Sequence, residues 1–239
     1  MSDFWKSYDI TAAEYGAGYE CYPLFGTVHL VELALSALFI LGMAWWYRRS
    51  APRTRRHILV GVTAALLADE AALLLGMACT GQWNWSYLPL HLCSINIFLI
   101  ALHAWKPNRL LDNFLYFICI PAATAALLFP TWTSLPAANF MFWHSTSVHI
   151  LLAAYPIMLF SGGEIRPSVR YMGKCFLLLL AMAVSSIVGT CVPLLFKKMG
   201  VDPAVASGPL ITTLNDLTAV VAYYGLVWLL LINTFGFGV

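Results

Sequence analysis

The stretch Tyr87-Leu88-Pro89-Leu90-His91-Leu92-Cys93-Ser94-Ile95-Asn96 sets an imidazole, a thiol, a hydroxyl and a carboxamide at the start of an apolar run. A cysteine becomes a strong nucleophile once a neighbouring base takes its proton. His91 and Cys93 are two residues apart, so on a helix they point to different faces and cannot form that pair. The base has to come from another helix. Phe142-Trp143-His144-Ser145-Thr146-Ser147-Val148-His149 offers two candidates, His144 and His149. A Cys–His pair across helices is one reading of these residues, and a buried hydrogen-bond network between helices is the other.

Other ionisable groups fall inside apolar runs, where charge is unfavourable and each one needs a reason. His29 and Glu32 share a helix face at a spacing of three, which predicts a mutual hydrogen bond. Asp69 and Glu70 are adjacent, about 100° apart on a helix, which predicts one facing a cavity and the other a partner helix. Asp216 stands two turns inside the last apolar run, behind Gly208 and Pro209, and Asp202 lies in the loop before it. A carboxylate at Asp216 needs water, a cation or a partner subunit beside it.

The elements that position these groups are helices in lipid. Of the 239 residues, 61% are hydrophobic and 10% are charged, far below the roughly 25% charged content of soluble domains. Apolar runs near 27–47, 58–78, 88–105, 110–128, 140–161, 173–196 and 209–235 predict about seven transmembrane helices. Backbone amides in hydrocarbon have to bond internally, and no alternating strand pattern appears, so the fold class is all-α and polytopic. The net charge of +2 gives no reason to expect nucleic acid. Six cysteines (21, 79, 93, 119, 175 and 191) show no zinc spacing, and the acidic, aromatic first 26 residues do not read as a cleavable signal.

Lys and Arg give the orientation. Arg48, Arg49, Arg53, Arg55 and Arg56 crowd the loop after the first span, and Lys106, Arg109, Arg166, Arg170 and Lys174 lie on the same side. The loops 79–87 and 129–139 carry no Lys or Arg. The positive-inside rule then places the protein in the cell membrane with its N-terminus outside. Topology alone accounts for the arginine cluster, with anionic lipid headgroups as its second reading. Lys197 and Lys198 break the pattern on the opposite side.

Two resemblances attach to these motifs. Leu88-Pro89-Leu90-His91-Leu92-Cys93, with His149 and Pro156 downstream, resembles the YwaF family of membrane proteins over residues 20–175. Related animal proteins are lipid acyltransferases, and the resemblance implies Cys93 as nucleophile and His149 as base. Val192–Thr218 contains Asp202-Pro203-Ala204, Ser207-Gly208-Pro209 and Thr212-Thr213-Leu214-Asn215-Asp216. It resembles the last two helices of MgtE-type magnesium channels. That likeness implies Asp216 as a pore ligand for hydrated Mg²⁺, Asp202 near the cytoplasmic mouth, and a homo-oligomer. It has no counterpart here for that family's first three helices, and its topology agrees with Lys197 and Lys198 rather than with the span count.

The organisation expected is therefore a YwaF-like helical region over 1–182 and an MgtE-like helix pair over 183–239. Mg²⁺ transport is placed first, with a lipid acyltransferase using Cys93 and His149, or a non-functional fusion, as alternatives.

Overall fold

The computed structural model describes residues 3–5, 22–81, 83, 89, 92–133, 135, 136 and 138–184. The run expected near 209–235, half of the one near 173–196, and residues Asp202 and Asp216 lie outside them. Among the described residues the protein is all-helical, without strands. It divides into two compact units, residues 1–168 and 169–239.

The first unit holds five main helices: α1 (Thr27–Arg49), α2 (Pro52–Cys79), α3 (Leu92–Trp105), α4 (Arg109–Leu128) and α5 (Phe140–Ser161). In the second unit, residues 172–184 are helical after a turn at Val169–Tyr171. α1, α2 and α4 are long and apolar enough to cross a membrane. The described residues hold five of the seven expected helices and a helical stretch at 172–184, and the remaining expected runs lie outside them.

Two helices depart from the expected bounds. The arginine loop is hardly a loop: Pro52 occupies the first turn of α2, so Arg53, Arg55 and Arg56 are helical and only Ser50 and Ala51 join α1 to α2. Proline suits that position because its missing N–H would be unpaired there in any case. α3 has 14 residues, about 21 Å, against the roughly 20 residues that cross a bilayer. Pro89 lies in a turn ahead of it.

α5 is the hub and packs against α1, α2, α3 and α4. Its buried residues surround the whole axis, as expected of a helix with protein on all sides. α1 does the opposite: Val31, Leu35, Leu38, Leu41 and Trp45 remain exposed. These are the side chains that lipid solvates. One apolar cluster, with Tyr47, Leu66, Ile100 and Met158, packs toward the arginine end. A second, with Leu73, Met77, Leu127, Trp132 and Phe142, packs toward the other end.

Two prolines shape the bundle. Pro156 lies inside α5 and cannot donate to the carbonyl of Leu152. The Cys119 thiol donates to that carbonyl at 3.4 Å instead. Cys119 ends a π-helical turn, Leu115–Cys119, that interrupts α4 just before Pro121, and there the Ile120 N–H reaches back five residues to Leu115. Cys119→Ala is expected to destabilise the fold by roughly 1–2 kcal/mol, because it strips a buried carbonyl of its donor. Cys119→Val fills the volume without a donor and should remain destabilised, whereas Cys119→Ser should recover part of the loss. Thermal unfolding in detergent reads the difference.

The turn at Ser50 and Ala51 also supplies a topology test. With all cysteines removed, Ser50→Cys should resist an impermeant thiol reagent applied to intact cells and react after permeabilisation. Reaction in intact cells reverses the orientation drawn from the arginines.

Candidate functional site

Between the two apolar clusters lies a layer of polar side chains from α1, α2, α3 and α5. His149 is nine residues into α5, hence about 13 Å along it at 1.5 Å per residue. Its Nε2 lies 3.3 Å from the Cys93 Sγ. Cys93 is the second residue of α3, so the short helix carries it to that depth. The partial positive charge of a helix N-terminus stabilises an anion placed there.

The imidazole is held in one orientation. Nδ1 lies 2.6 Å from the Ser145 carbonyl oxygen, which can only accept, so Nδ1 carries the hydrogen. Nε2 is left with its lone pair toward the thiol, the tautomer that a general base requires. The Trp132 ring stacks on the imidazole at 5.1 Å between centroids and 17° between planes. His149 is buried and Cys93 is half-buried. The pair therefore has the geometry of a nucleophile and its base.

His144 goes elsewhere. Its Nδ1 lies 2.9 Å from an Asp69 carboxylate oxygen and its Nε2 lies 3.9 Å from Glu70. Ser147 donates to the same Asp69 oxygen at 3.2 Å. Asp69 and Glu70 thus converge on one ring, contrary to the expectation that they would serve different surroundings. The carboxyl groups of adjacent residues can both bend toward one side chain on a facing helix.

The predicted His29–Glu32 bond is also replaced. His29 Nδ1 accepts from the Phe25 N–H at 2.9 Å, which leaves Nε2 to donate to the Leu127 carbonyl at 3.0 Å. Glu32 accepts from Thr146 at 2.8 Å and from Tyr22 at 3.2 Å. Each group found partners on other segments, because α1 lies against both α5 and the end of α4.

Several contacts had no expectation attached. His103 bridges Tyr155, at 3.0 Å, and Asp112, at 2.9 Å, near the arginine end. Glu164 accepts from Tyr47 at 2.7 Å and faces Arg55 at 3.4 Å. A polar residue within an apolar run is itself a signal, and His103 carried it. Trp132 lies in a connection without periodicity, where nothing in the sequence marked it. Among the described residues no group of three or more His, Cys, Asp or Glu side chains is arranged to hold a metal ion.

The segment that builds this layer has a recognised family. The sequence model of the TMEM164 family matches residues 24–190. The chain belongs to the TMEM164 family. That match takes the place of the YwaF likeness drawn from the Leu-Pro-Leu-His-Leu-Cys string, and it spans the TMEM164-family helices α1 to α5 in full. A shorter likeness is to proteins named magnesium transporter MgtE. It reaches 51% identity over 49 residues with that of Enterococcus faecalis, covering 20% of this chain and 11% of the relative. It is 47% over 49 residues with that of Bacillus subtilis, again 20% and 11%. For that of Thermus thermophilus it is 41% over 54 residues, 23% and 12%. This TMEM164-family chain thus spans about a tenth of the length of the curated relatives it matches. No solved structure matches it.

Proposed function

We propose that this protein is a membrane-embedded acyltransferase that passes a fatty acyl group between lipids through a thioester on Cys93. The observation that carries the reading is the 3.3 Å contact between the thiol and the correctly protonated His149. Nε2 takes the thiol proton as Sγ attacks the ester carbonyl of a donor lipid. The ester C–O bond breaks, and the leaving lysolipid oxygen takes the proton back from Nε2. A lipid hydroxyl then enters, gives its proton to the same nitrogen and displaces the thiolate. Atoms and charge balance without a cofactor, and His149 alternates between base and acid.

This order reverses the one suggested by the motifs alone, which placed Mg²⁺ transport first. The catalytic reading now rests on a formed pair in the layer of helices, whereas Asp202 and Asp216 lie outside the described residues. The test is capture of the intermediate. Purified protein in liposomes containing acyl-labelled phospholipid should acquire label that neutral hydroxylamine releases. Label that resists hydroxylamine, or its absence with wild-type protein, refutes the thioester.

A second reading is kept for the tail, because a specific observation favours it. The TMEM164 match ends at residue 190 and leaves 49 residues. The likenesses to magnesium transporters span 49 to 54 residues, and the Asp202-Pro203-Ala204 and Thr212–Asp216 strings lie in this tail. In this reading residues 183–239 form an MgtE-like helix pair that conducts Mg²⁺ in a homo-oligomer, with Asp216 as the pore carboxylate and Asp202 at the mouth.

A further inference from the structure

The arginine cluster has a use beyond topology. At that end of the bundle, α1 and α2 leave a trough of about 520 Å³ between them, with Leu151 of α5 as its floor. Phe39, Met43 and Trp46 form one wall at helical spacing. The other wall runs along α2 from Thr54 to Ala65. The eleven helical rises from Thr54 to Ala65 give a length of about 16 Å. Half of the bilayer's hydrocarbon core is about 15 Å. Gly61 sits in the α2 wall, and a methyl group there would meet no atom within 4 Å. The glycine therefore gives the trough its width.

The polar groups of the lining, Thr54 and His57, stand at the arginine end. Arg49 is three residues after Trp46, and Arg53 is four before His57, so both share the faces that form the mouth. Both are exposed, and neither has an ion pair with a described carboxylate. The contrast is Arg55, which is engaged by Glu164, Gly162 and Arg48. The Arg49 guanidinium lies 4.3 Å over the Trp45 ring, which keeps it at the interface.

We infer that this trough is a binding site for an anionic phospholipid, with one acyl chain along the trough and the phosphate between Arg49 and Arg53. The length selects an acyl chain of one leaflet and the mouth selects negative charge. A zwitterionic lipid fills the trough but brings an ammonium group to two arginines. A soluble phosphate meets the arginines but leaves the apolar walls bare. The inference does not depend on the Cys93 reading.

The experiment is native mass spectrometry of the purified full-length chain with equimolar dioleoyl phosphatidylglycerol and dioleoyl phosphatidylcholine. Wild-type protein should retain the glycerol lipid about fivefold or more over the choline lipid, the scale of one basic residue's attraction. Arg49→Gln with Arg53→Gln should bring the two within about twofold, while Gly61→Trp should lower retention of both. Ala65→Leu serves the same purpose if Gly61→Trp elutes as an aggregate. Millimolar glycerol phosphate should displace nothing. Equal retention of the two lipids by wild-type protein, an unchanged preference in the double arginine variant, or displacement by glycerol phosphate overturns the site.

Discussion

Cys93→Ala should abolish acyl transfer and thioester capture, because no other described group in the layer takes the place of the sulfur. Cys119 is buried and donates to the Leu152 carbonyl, so it does not substitute. His149→Ala should slow the reaction by about 10²–10⁴, the range that a positioned base contributes. The thiol would remain but would lose the acceptor for its proton. His144→Ala is the control: it removes an imidazole from the same helix that faces Asp69 rather than Cys93. It should therefore keep activity within about tenfold, less than the loss expected at His149. A thiol-directed probe gives a second readout that needs no lipid substrate. Labelling of Cys93 should drop in His149→Ala and persist in His144→Ala. Equal labelling in all three proteins would reduce Cys93 to a packing residue.

Discrimination between the two histidines shows where sequence reasoning runs out. Apolar runs announce helices because lipid forces internal hydrogen bonding, and the described helices fall on the runs that composition marks. A thiol or an imidazole in such a run also announces itself. Which pair meets is another matter. His144 and His149 lie five apart on one helix, and their fates were decided by which neighbouring helix each one faces. α2 presents Asp69 and Glu70 to the first, while α3 presents Cys93 to the second. Helix rotation and depth come from packing across the bundle, and hydrophobicity encodes them weakly where every face is apolar. The same cause explains His29 and Glu32. Their spacing allows a bond, yet Leu127 and Thr146 on facing helices arrive first. The bound of α3 is a separate case: Leu88 and Leu90 carry apolar character ahead of Leu92, the first residue of the described helix, and the residue before a proline is biased away from the helical region.

Asp216→Asn should abolish Mg²⁺ uptake if the tail conducts the ion. The residue stands in an apolar run where an isolated charge is unfavourable against lipid, so a carboxylate there calls for water or a cation beside it. Mg²⁺ keeps its inner waters and meets protein through one or two carboxylates, so a single Asp from each subunit of an oligomer is a sufficient ligand. Asparagine preserves size and hydrogen bonding and removes the charge alone. Expression of the full chain should allow a magnesium-auxotrophic bacterium to grow at low Mg²⁺, and Asp216→Asn at equal membrane abundance should not. Asp202→Asn should reduce growth less, because a carboxylate at a mouth acts through screening solvent. Cys93→Ala separates the two readings of the molecule: it should leave growth intact while removing acyl transfer. Loss of growth in Cys93→Ala would couple the modules. Failure of the wild-type chain to support growth, with insertion verified, would sink conduction and leave the lipid chemistry of Cys93 to be judged by its own assay.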